Sequence, residues 1–136
     1  MRPGKTWKKN RKKKMTNPFK DQTEFMLACD QTVCENNDKQ FKLYHELIAE
    51  EFVELNSAVV QGDRIEQLDA LIDIMVVTIG AINSMGADGE GAWNEVMRTN
   101  FAKIDPETGK VRKREDGKVL KPEGWTAPVL DKYLCP

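Results

Sequence analysis

The most constraining feature of this sequence is a set of acidic residues inside an otherwise apolar helical stripe. Between residues 39 and 61, Leu43, Leu47 and Ala58 recur at the spacing of one helix face. The positions that should continue this stripe hold acids instead, namely Glu50, Glu51 and Glu54. Because residues three and four apart share a helix face, these acids are expected to stand where core side chains normally pack.

The next helical segment, residues 64–85, repeats the pattern. Its acids fall at spacings of three and four among aliphatic residues, and they are Glu66, Asp69 and Asp73. The short turn Gln61-Gly62-Asp63 predicts that the two helices pack antiparallel, which would bring their carboxylates together. Any one of these acids could lie on a solvated helix face, but the pattern on two facing helices favours a shared site.

Clustered carboxylates in a partly dry cleft need a counter-charge. Like charges repel there, and an unpaired buried carboxylate is destabilising or takes up a proton. An all-oxygen ligand set suits Mg²⁺ or Mn²⁺ rather than zinc. A di-iron bundle would need Glu-x-x-His pairs, which the single histidine, His45, does not supply. The pattern therefore predicts a divalent-metal site for Mg²⁺, or for Mn²⁺ in its place.

Four helical segments predict an all-α, four-helix bundle-like fold. They are Asp21–Glu35, Lys39–Gln61, Arg64–Met85 and Ala92–Ala102. From Ile104 onward, Pro, Gly and alternating charges predict a short hairpin or loop around Asp116-Gly117 and then a C-terminal tail. Because the third helix is apolar around most of its girth, we expect it to lie at the centre or at a subunit interface, and the chain to form a homodimer or homotetramer.

A basic arm precedes the helical domain. Residues 1–15 contain eight Lys or Arg residues and no acid, whereas the rest of the chain is acidic. The arm, residues 1–16, is expected to be disordered, and residues 17–136 to form a single domain. The arm is either natural or a leader that precedes a natural start at Met15. We therefore do not use it to predict the function, and nucleic-acid binding is not expected as the main activity.

Composition also predicts the location of the protein. The longest apolar window, residues 72–82, is interrupted by Asp73 and is too short to cross a bilayer. No apolar stretch typical of a signal peptide follows the basic residues. The three cysteines, Cys29, Cys34 and Cys135, form no metal-binding pattern and fit reduced thiols. We therefore expect a cytoplasmic protein without a membrane partner.

The acidic segments resemble a known superfamily. Glu51-x-x-Glu54 followed by acids on the next helix is similar to the signature of the all-α nucleoside triphosphate pyrophosphatases, which include MazG, dimeric dUTPases and phosphoribosyl-ATP pyrophosphohydrolases. The matching acids in segment 64–85 are either Glu66-x-x-Asp69 or Asp73 with Asp69. Segments 95–103 and 116–122 resemble the same superfamily, so the likeness extends from about residue 22 to 130.

The resemblance implies a magnesium-dependent hydrolase of phosphoric anhydrides that converts (d)NTPs to (d)NMPs and pyrophosphate. Its metal ligands would be Glu51, Glu54 and Asp73, together with Asp69 or Glu66. Glu50 would orient or deprotonate the attacking water, although Glu50 and Glu51 could exchange roles. The side chains that would bind the substrate are Arg98, Asn100, Lys103, Lys118 and Lys121.

Two other functions stay open at this point. One is phosphoribosyl-ATP pyrophosphohydrolase itself, an enzyme of histidine synthesis. The other is a non-catalytic helical module that binds nucleic acid through its basic arm. Trp93, Trp125 and Phe25 could stack on a base, but packing in the core or at an interface is the simpler interpretation.

Overall fold

The computed structural model describes residues 15–135, so residues 1–14 of the basic arm, and residue 136, lie outside the described range. Its elements are α1 Pro18–Ala28, α2 Asp38–Gln61, α3 Arg64–Ser84, α4 Gly89–Phe101 and a 3₁₀ turn Asp131–Tyr133. Extended pairing within residues 15–135 is limited to isolated bridges. The predicted all-α fold is therefore confirmed. No helix in this range is long and apolar enough to cross a membrane.

Each of the four α-helices begins at a polar residue that caps its first turn. The capping residues are Asn17, Asn37, Asp63 and Asp88, whose side chains accept hydrogen bonds from N–H groups of the first helical turn. These groups have no partner inside the helix, so a cap stabilises the start. Because caps are local in sequence, α2 and α3 begin within one residue of their predicted starts. The Asp88 cap explains why α4 begins at Gly89 rather than at Ala92.

The first helix is shorter than the sequence predicted. It covers residues 18–28 rather than 21–35. Pro18 occupies the first helical position, where its missing N–H costs nothing. The chain then leaves the helix, and its backbone enters the left-handed region at Asp30 (φ 57°) and again at Cys34 (φ 60°). These two conformations end the helical pattern that the sequence suggested.

Helices α2 and α3 form an antiparallel pair in a fixed register. Near one end, Gln40 Nε2 donates a hydrogen bond to Ser84 Oγ over 2.8 Å. One turn further along, the Tyr44 ring packs directly on Gly80, where any Cβ would overlap the ring. At the other end Gly62, with φ 68°, ends α2 and allows the tight turn into α3. This register brings the middle of α2 opposite the middle of α3.

The core lies at one end of the α2–α3 pair, and α1 covers that end. Its buried apolar residues are Met26, Tyr44, Val77 and Ala81, with Val33, Phe41, Leu47 and Ile48 packed around them. Polar groups here are paired, since Gln40 Oε1 accepts a bond from Thr32 N (3.0 Å). Asn83 Nδ2 likewise donates to Thr23 Oγ1 (3.1 Å). The acidic middle of the pair lies beyond this core, toward the turn at Gly62.

Residues 125–135 form a C-terminal strap that runs antiparallel along α4. Its hydrogen bonds join Trp125 Nε1 to Thr99 O (2.7 Å), Val129 N to Glu95 Oε1 (3.2 Å), Asp88 N to Tyr133 O (2.7 Å) and Cys135 N to Gly86 O (2.6 Å). Between α4 and the strap, residues 104–121 form a hairpin-like loop with single bridges and a turn at Gly117. This loop lies where the sequence predicted a hairpin or loop.

Candidate metal centre

Four acidic side chains lie midway along the α2–α3 pair. The helix register places Glu51 of α2 opposite Asp73 of α3. Glu54 and Asp69 lie about one helical turn nearer the connecting turn on each helix. Glu51 and Asp73 are partly buried, whereas Glu54 and Asp69 are exposed. We call these four residues the acidic cluster.

The members of the acidic cluster interact electrostatically. Burial raises the pKa of Glu51, and Glu54 raises it further through its charge and a shared hydrogen bond, followed by Asp73 and Asp69. Burial also raises the pKa of Asp73, and the charges of Asp69 and Glu54 add to this effect. Because the charges of neighbouring acids raise the pKa of both Glu51 and Asp73, the acidic cluster forms a single electrostatic group.

One oxygen of Glu51 lacks a partner. Glu51 Oε2 is buried and accepts no hydrogen bond from the residues that the structure describes. A buried carboxylate oxygen without a donor destabilises the fold, and a cation would supply the missing interaction. The donor chemistry of the cluster, which consists only of carboxylate oxygens, fits Mg²⁺ or Mn²⁺.

The acidic cluster does not already form a closed metal cage. Across residues 15–135, no three His, Cys, Asp or Glu side chains are grouped closely enough to hold a metal ion. Mg²⁺ requires ligand oxygens at about 2.1 Å. The exposed Glu54 and Asp69 side chains would therefore have to turn inward on binding. Exposed side chains change rotamer on the ps–ns timescale, so both carboxylates can sample inward orientations quickly.

Two of the acids predicted for the site lie outside the cluster. Glu50 is exposed, and its side chain projects about 100° around the helix from that of Glu51. Glu66 is exposed in the first turn of α3, where its N–H bonds to Asp63 Oδ1 (3.1 Å). Neither is among the groups that raise the pKa of Glu51 or Asp73 in the described residues. The structure therefore groups Asp69, and not Glu66, with the other three acids.

Three of the predicted substrate-binding residues come together around an indole ring. Lys103 Nζ donates to Asn100 Oδ1 (3.0 Å) and lies 5.1 Å from the centre of the Trp125 ring. Lys121 Nζ lies 4.8 Å from the same ring. Trp125 is held in place by its bond to Thr99 O, which supports its interpretation as a packing residue. Such ammonium–indole contacts fix the position of otherwise flexible lysines.

The other two predicted substrate-binding residues have separate positions. Arg98 makes a two-point ion pair with Glu95 on its own helix, at 2.8 and 2.9 Å. This guanidinium is the main reason why the pKa of Glu95 falls to about 2. Lys118 is exposed in the hairpin-like loop, where its backbone N–H bonds to Asp116 Oδ1 (3.1 Å). Neither joins the group around Trp125.

An apolar cleft of about 670 Å³ lies between α3, α4 and the start of α1. Ile74 and Thr78 of α3 line one side, and Trp93 and Asn94 of α4 line the other. Trp93 is 57% exposed, so it does not pack in the core of the chain. The sequence did not reveal this cleft, because helical periodicity alone does not tell how far apart two helices lie.

An all-α domain with carboxylates on two antiparallel helices is the arrangement expected of the all-α nucleotide pyrophosphatases, and the comparison with family models agrees with it. The family model for phosphoribosyl-ATP pyrophosphohydrolase matches residues 22–100, more than half of the chain. The chain therefore belongs to the phosphoribosyl-ATP pyrophosphohydrolase family, a family of pyrophosphohydrolases within the predicted superfamily. A comparison with individual curated proteins finds no match. The matched range contains the whole acidic cluster and ends at Asn100, before Lys103.

Proposed function

We propose that this chain is a Mg²⁺-dependent pyrophosphohydrolase that cleaves the α–β phosphoanhydride of a nucleotide, with phosphoribosyl-ATP as its first candidate substrate. The observation that carries the proposal is the acidic cluster, with the unpartnered Glu51 Oε2 inside it. The family match over residues 22–100 favours phosphoribosyl-ATP over the free (d)NTP that the sequence suggested first. Both substrates contain a triphosphate, so the bond to be cleaved is the same.

The acidic cluster supplies the metal ligands in this proposal. Glu51, Glu54, Asp69 and Asp73 would hold Mg²⁺, which neutralises phosphate charge and lowers the pKa of a bound water. Glu50 lies beside Glu51 on the solvent side, and its carboxylate is proposed to accept the proton of the attacking water. The part-buried position of Glu51 favours the ligand role for Glu51 and the base role for Glu50.

Cations must offset the negative charge of the substrate near such a site. The lysines that contact Trp125 are the first candidates, because Lys103 and Lys121 both lie against one indole ring and Asn100 adds an amide. Arg98 would have to release Glu95 before it could bind a phosphate. We therefore assign a primary binding role to the group around Trp125, and a secondary role to Arg98 and Lys118.

We also propose that the chain acts as a homodimer or homotetramer. Large apolar side chains on α2 and α3 stay open, for example Val60 (88% exposed), Ile65 (80%) and Leu68 (62%). Large exposed apolar side chains concentrated on two neighbouring helices favour an interaction site, and a second copy would bury them. Light scattering at assay concentration should give a mass that is a multiple of 15.5 kDa. A monomer under those conditions would contradict this part of the proposal.

A product-resolved assay tests the activity. Purified chain is incubated with Mg²⁺ or Mn²⁺ and either phosphoribosyl-ATP or a panel of NTPs and dNTPs, and the products are separated. We expect pyrophosphate and the matching monophosphate, with the highest turnover on phosphoribosyl-ATP. Glu51→Gln and Asp73→Asn should lose activity, whereas Glu46→Gln, an exposed acid on the same helix, should retain it. Absence of pyrophosphate from every substrate would refute the proposed function.

The same assay decides between the remaining alternatives. Higher turnover on a (d)NTP than on phosphoribosyl-ATP would favour the second candidate substrate. Glu66→Gln tests whether this exposed acid contributes despite its place outside the acidic cluster. A non-catalytic role for the basic arm would instead give salt-sensitive nucleic-acid binding without a metal requirement. A cytoplasmic location stays a prediction from the cysteine pattern.

A further inference from the structure

Two thiols far apart in the sequence line one pocket of the folded chain. Cys34 follows α1, and Cys135 lies at the end of the C-terminal strap. Both line a pocket of about 440 Å³ between α1 and the start of α4. Both are free and exposed, so a small reagent in solvent can reach them. Neither residue belongs to the acidic cluster or to the group around Trp125.

The backbone brings the two cysteine segments to a single residue, Gly86. On one side, a Cβ at Gly86 would lie 2.8 Å from Asn36 N and 2.9 Å from the Glu35 carbonyl carbon, so the chain next to Cys34 packs directly against it. On the other side, the Gly86 carbonyl accepts the Cys135 N–H over 2.6 Å. In the folded chain, the two cysteine-bearing segments therefore lie on either side of Gly86.

The two cysteines differ in how firmly they are held. Cys34 has a left-handed backbone (φ 60°), and the chain beside it is fixed by a bridge between Asn36 and Met85. Cys135 follows Leu134, which bridges to Ala87, and a single backbone hydrogen bond joins Cys135 N to Gly86 O. A disulfide needs Cα atoms roughly 4.4–6.8 Å apart. For Cys135 to approach Cys34, the hydrogen bond from Cys135 N to Gly86 O would have to open, and this bond lies outside every helix.

We propose that Cys34 and Cys135 form an intramolecular disulfide when the chain meets a low-molecular-weight disulfide such as oxidised glutathione. The Cys135 thiolate attacks one glutathione sulfur, which forms a mixed disulfide and releases one glutathione thiolate. The Cys34 thiolate then attacks the Cys135 sulfur, which forms the protein disulfide and releases the second. Two protein thiols are oxidised, one glutathione disulfide is reduced, and the two thiol protons pass to the released glutathione.

The disulfide would fasten the C-terminal strap to the connection between α1 and α2. The strap bonds to α4 through Trp125 and Val129, so fixing its end also fixes α4. The closed loop spans most of the chain, and long loops lose the most unfolded-state entropy when they are cross-linked. We expect the oxidised chain to unfold at a temperature at least about 5 °C higher than the reduced chain.

The test uses the full chain, treated with oxidised glutathione and compared with a sample kept in reductant. We expect a mass lower by about 2 Da than that of the reduced chain, a Cys34–Cys135 peptide on mapping, and the rise in Tm. Cys29→Ser should keep all three results, and Cys34→Ser or Cys135→Ser should lose them. Any of four outcomes would overturn the proposal: a bridge to Cys29, a bridge between two copies, glutathione adducts alone, or unmodified thiols. None of these readouts depends on the enzymatic activity.

Discussion

Replacement of Glu51 by glutamine should have opposite effects on stability with and without Mg²⁺. In the metal-free chain, the Glu51 carboxylate carries a buried oxygen without a partner and faces three other acids. A neutral amide of the same shape removes the repulsion and can donate to a neighbouring carboxylate. The variant should therefore be more stable than the wild type without metal, and should lose the stabilisation that the metal provides.

The structure sets the size of the first effect, and the concentration of Mg²⁺ sets the size of the second. An unsatisfied buried polar group costs about 1–3 kcal/mol, and because Glu51 is only partly buried we take the lower end, about 1 kcal/mol. This corresponds to a rise in Tm of about 3 °C for a chain of this size. Mg²⁺ at 100 times its dissociation constant should stabilise the wild type by about 2.7 kcal/mol. That corresponds to a rise in Tm of about 8 °C, which Glu51→Gln should not show.

The pH dependence has a definite sign. Because the pKa of Glu51 is raised in the folded chain, the folded chain binds more protons than the unfolded chain above the usual value of 4.5. The contribution of Glu51 to the stability of the metal-free wild type should therefore be fully present below that value, and it should be lost as the pH rises through the raised pKa. Glu51→Gln should lack this loss.

Thermal unfolding followed by circular dichroism measures these quantities, with EDTA or Mg²⁺ present and across a pH series. Glu46→Gln, an exposed acid on the same helix, is the matched control and should behave as the wild type in every condition. The order of stability between wild type and Glu51→Gln should reverse when Mg²⁺ is added. An equal Mg²⁺ response in both proteins, or none in the wild type, would refute the assignment of the acidic cluster as a metal site.

Three further predictions concern other parts of the chain. Gly80→Ala should destabilise the fold by about 3 kcal/mol in urea unfolding, because the new methyl overlaps the Tyr44 ring; an unchanged midpoint would contradict the close packing of α2 on α3. Arg98 holds the pKa of Glu95 at about 2. The stability that Glu95 provides should therefore be present above pH 4.5 and lost as the pH falls toward 2. Glu95→Gln should flatten this part of an acid unfolding curve. Lys103→Met should raise KM roughly tenfold with a smaller effect on kcat. The control Lys110→Met, which changes an exposed lysine, should leave both constants unchanged. Equal KM values for Lys103→Met and the wild type would exclude Lys103 from substrate binding.

The amino-acid sequence was enough to predict the two long helices and the acids that interrupt their apolar faces. The predicted starts and ends of α2 and α3 agree with the structure within one residue, because their caps and the turn at Gly62 are local signals. The resemblance carried by the acidic segments agrees with the family match over residues 22–100. Spacing on a helix is a short-range property, so a single sequence can reveal it.

Which of these residues meet became clear from the folded chain alone. The register of α2 on α3 groups Asp69, rather than Glu66, with Glu51. The path of the strap brings Lys103 and Lys121 to Trp125, and α1 ends early because the chain turns at Asp30. These contacts depend on packing between segments that are distant in the sequence. The apolar pattern of one helix does not tell which face of another segment the helix will pack against.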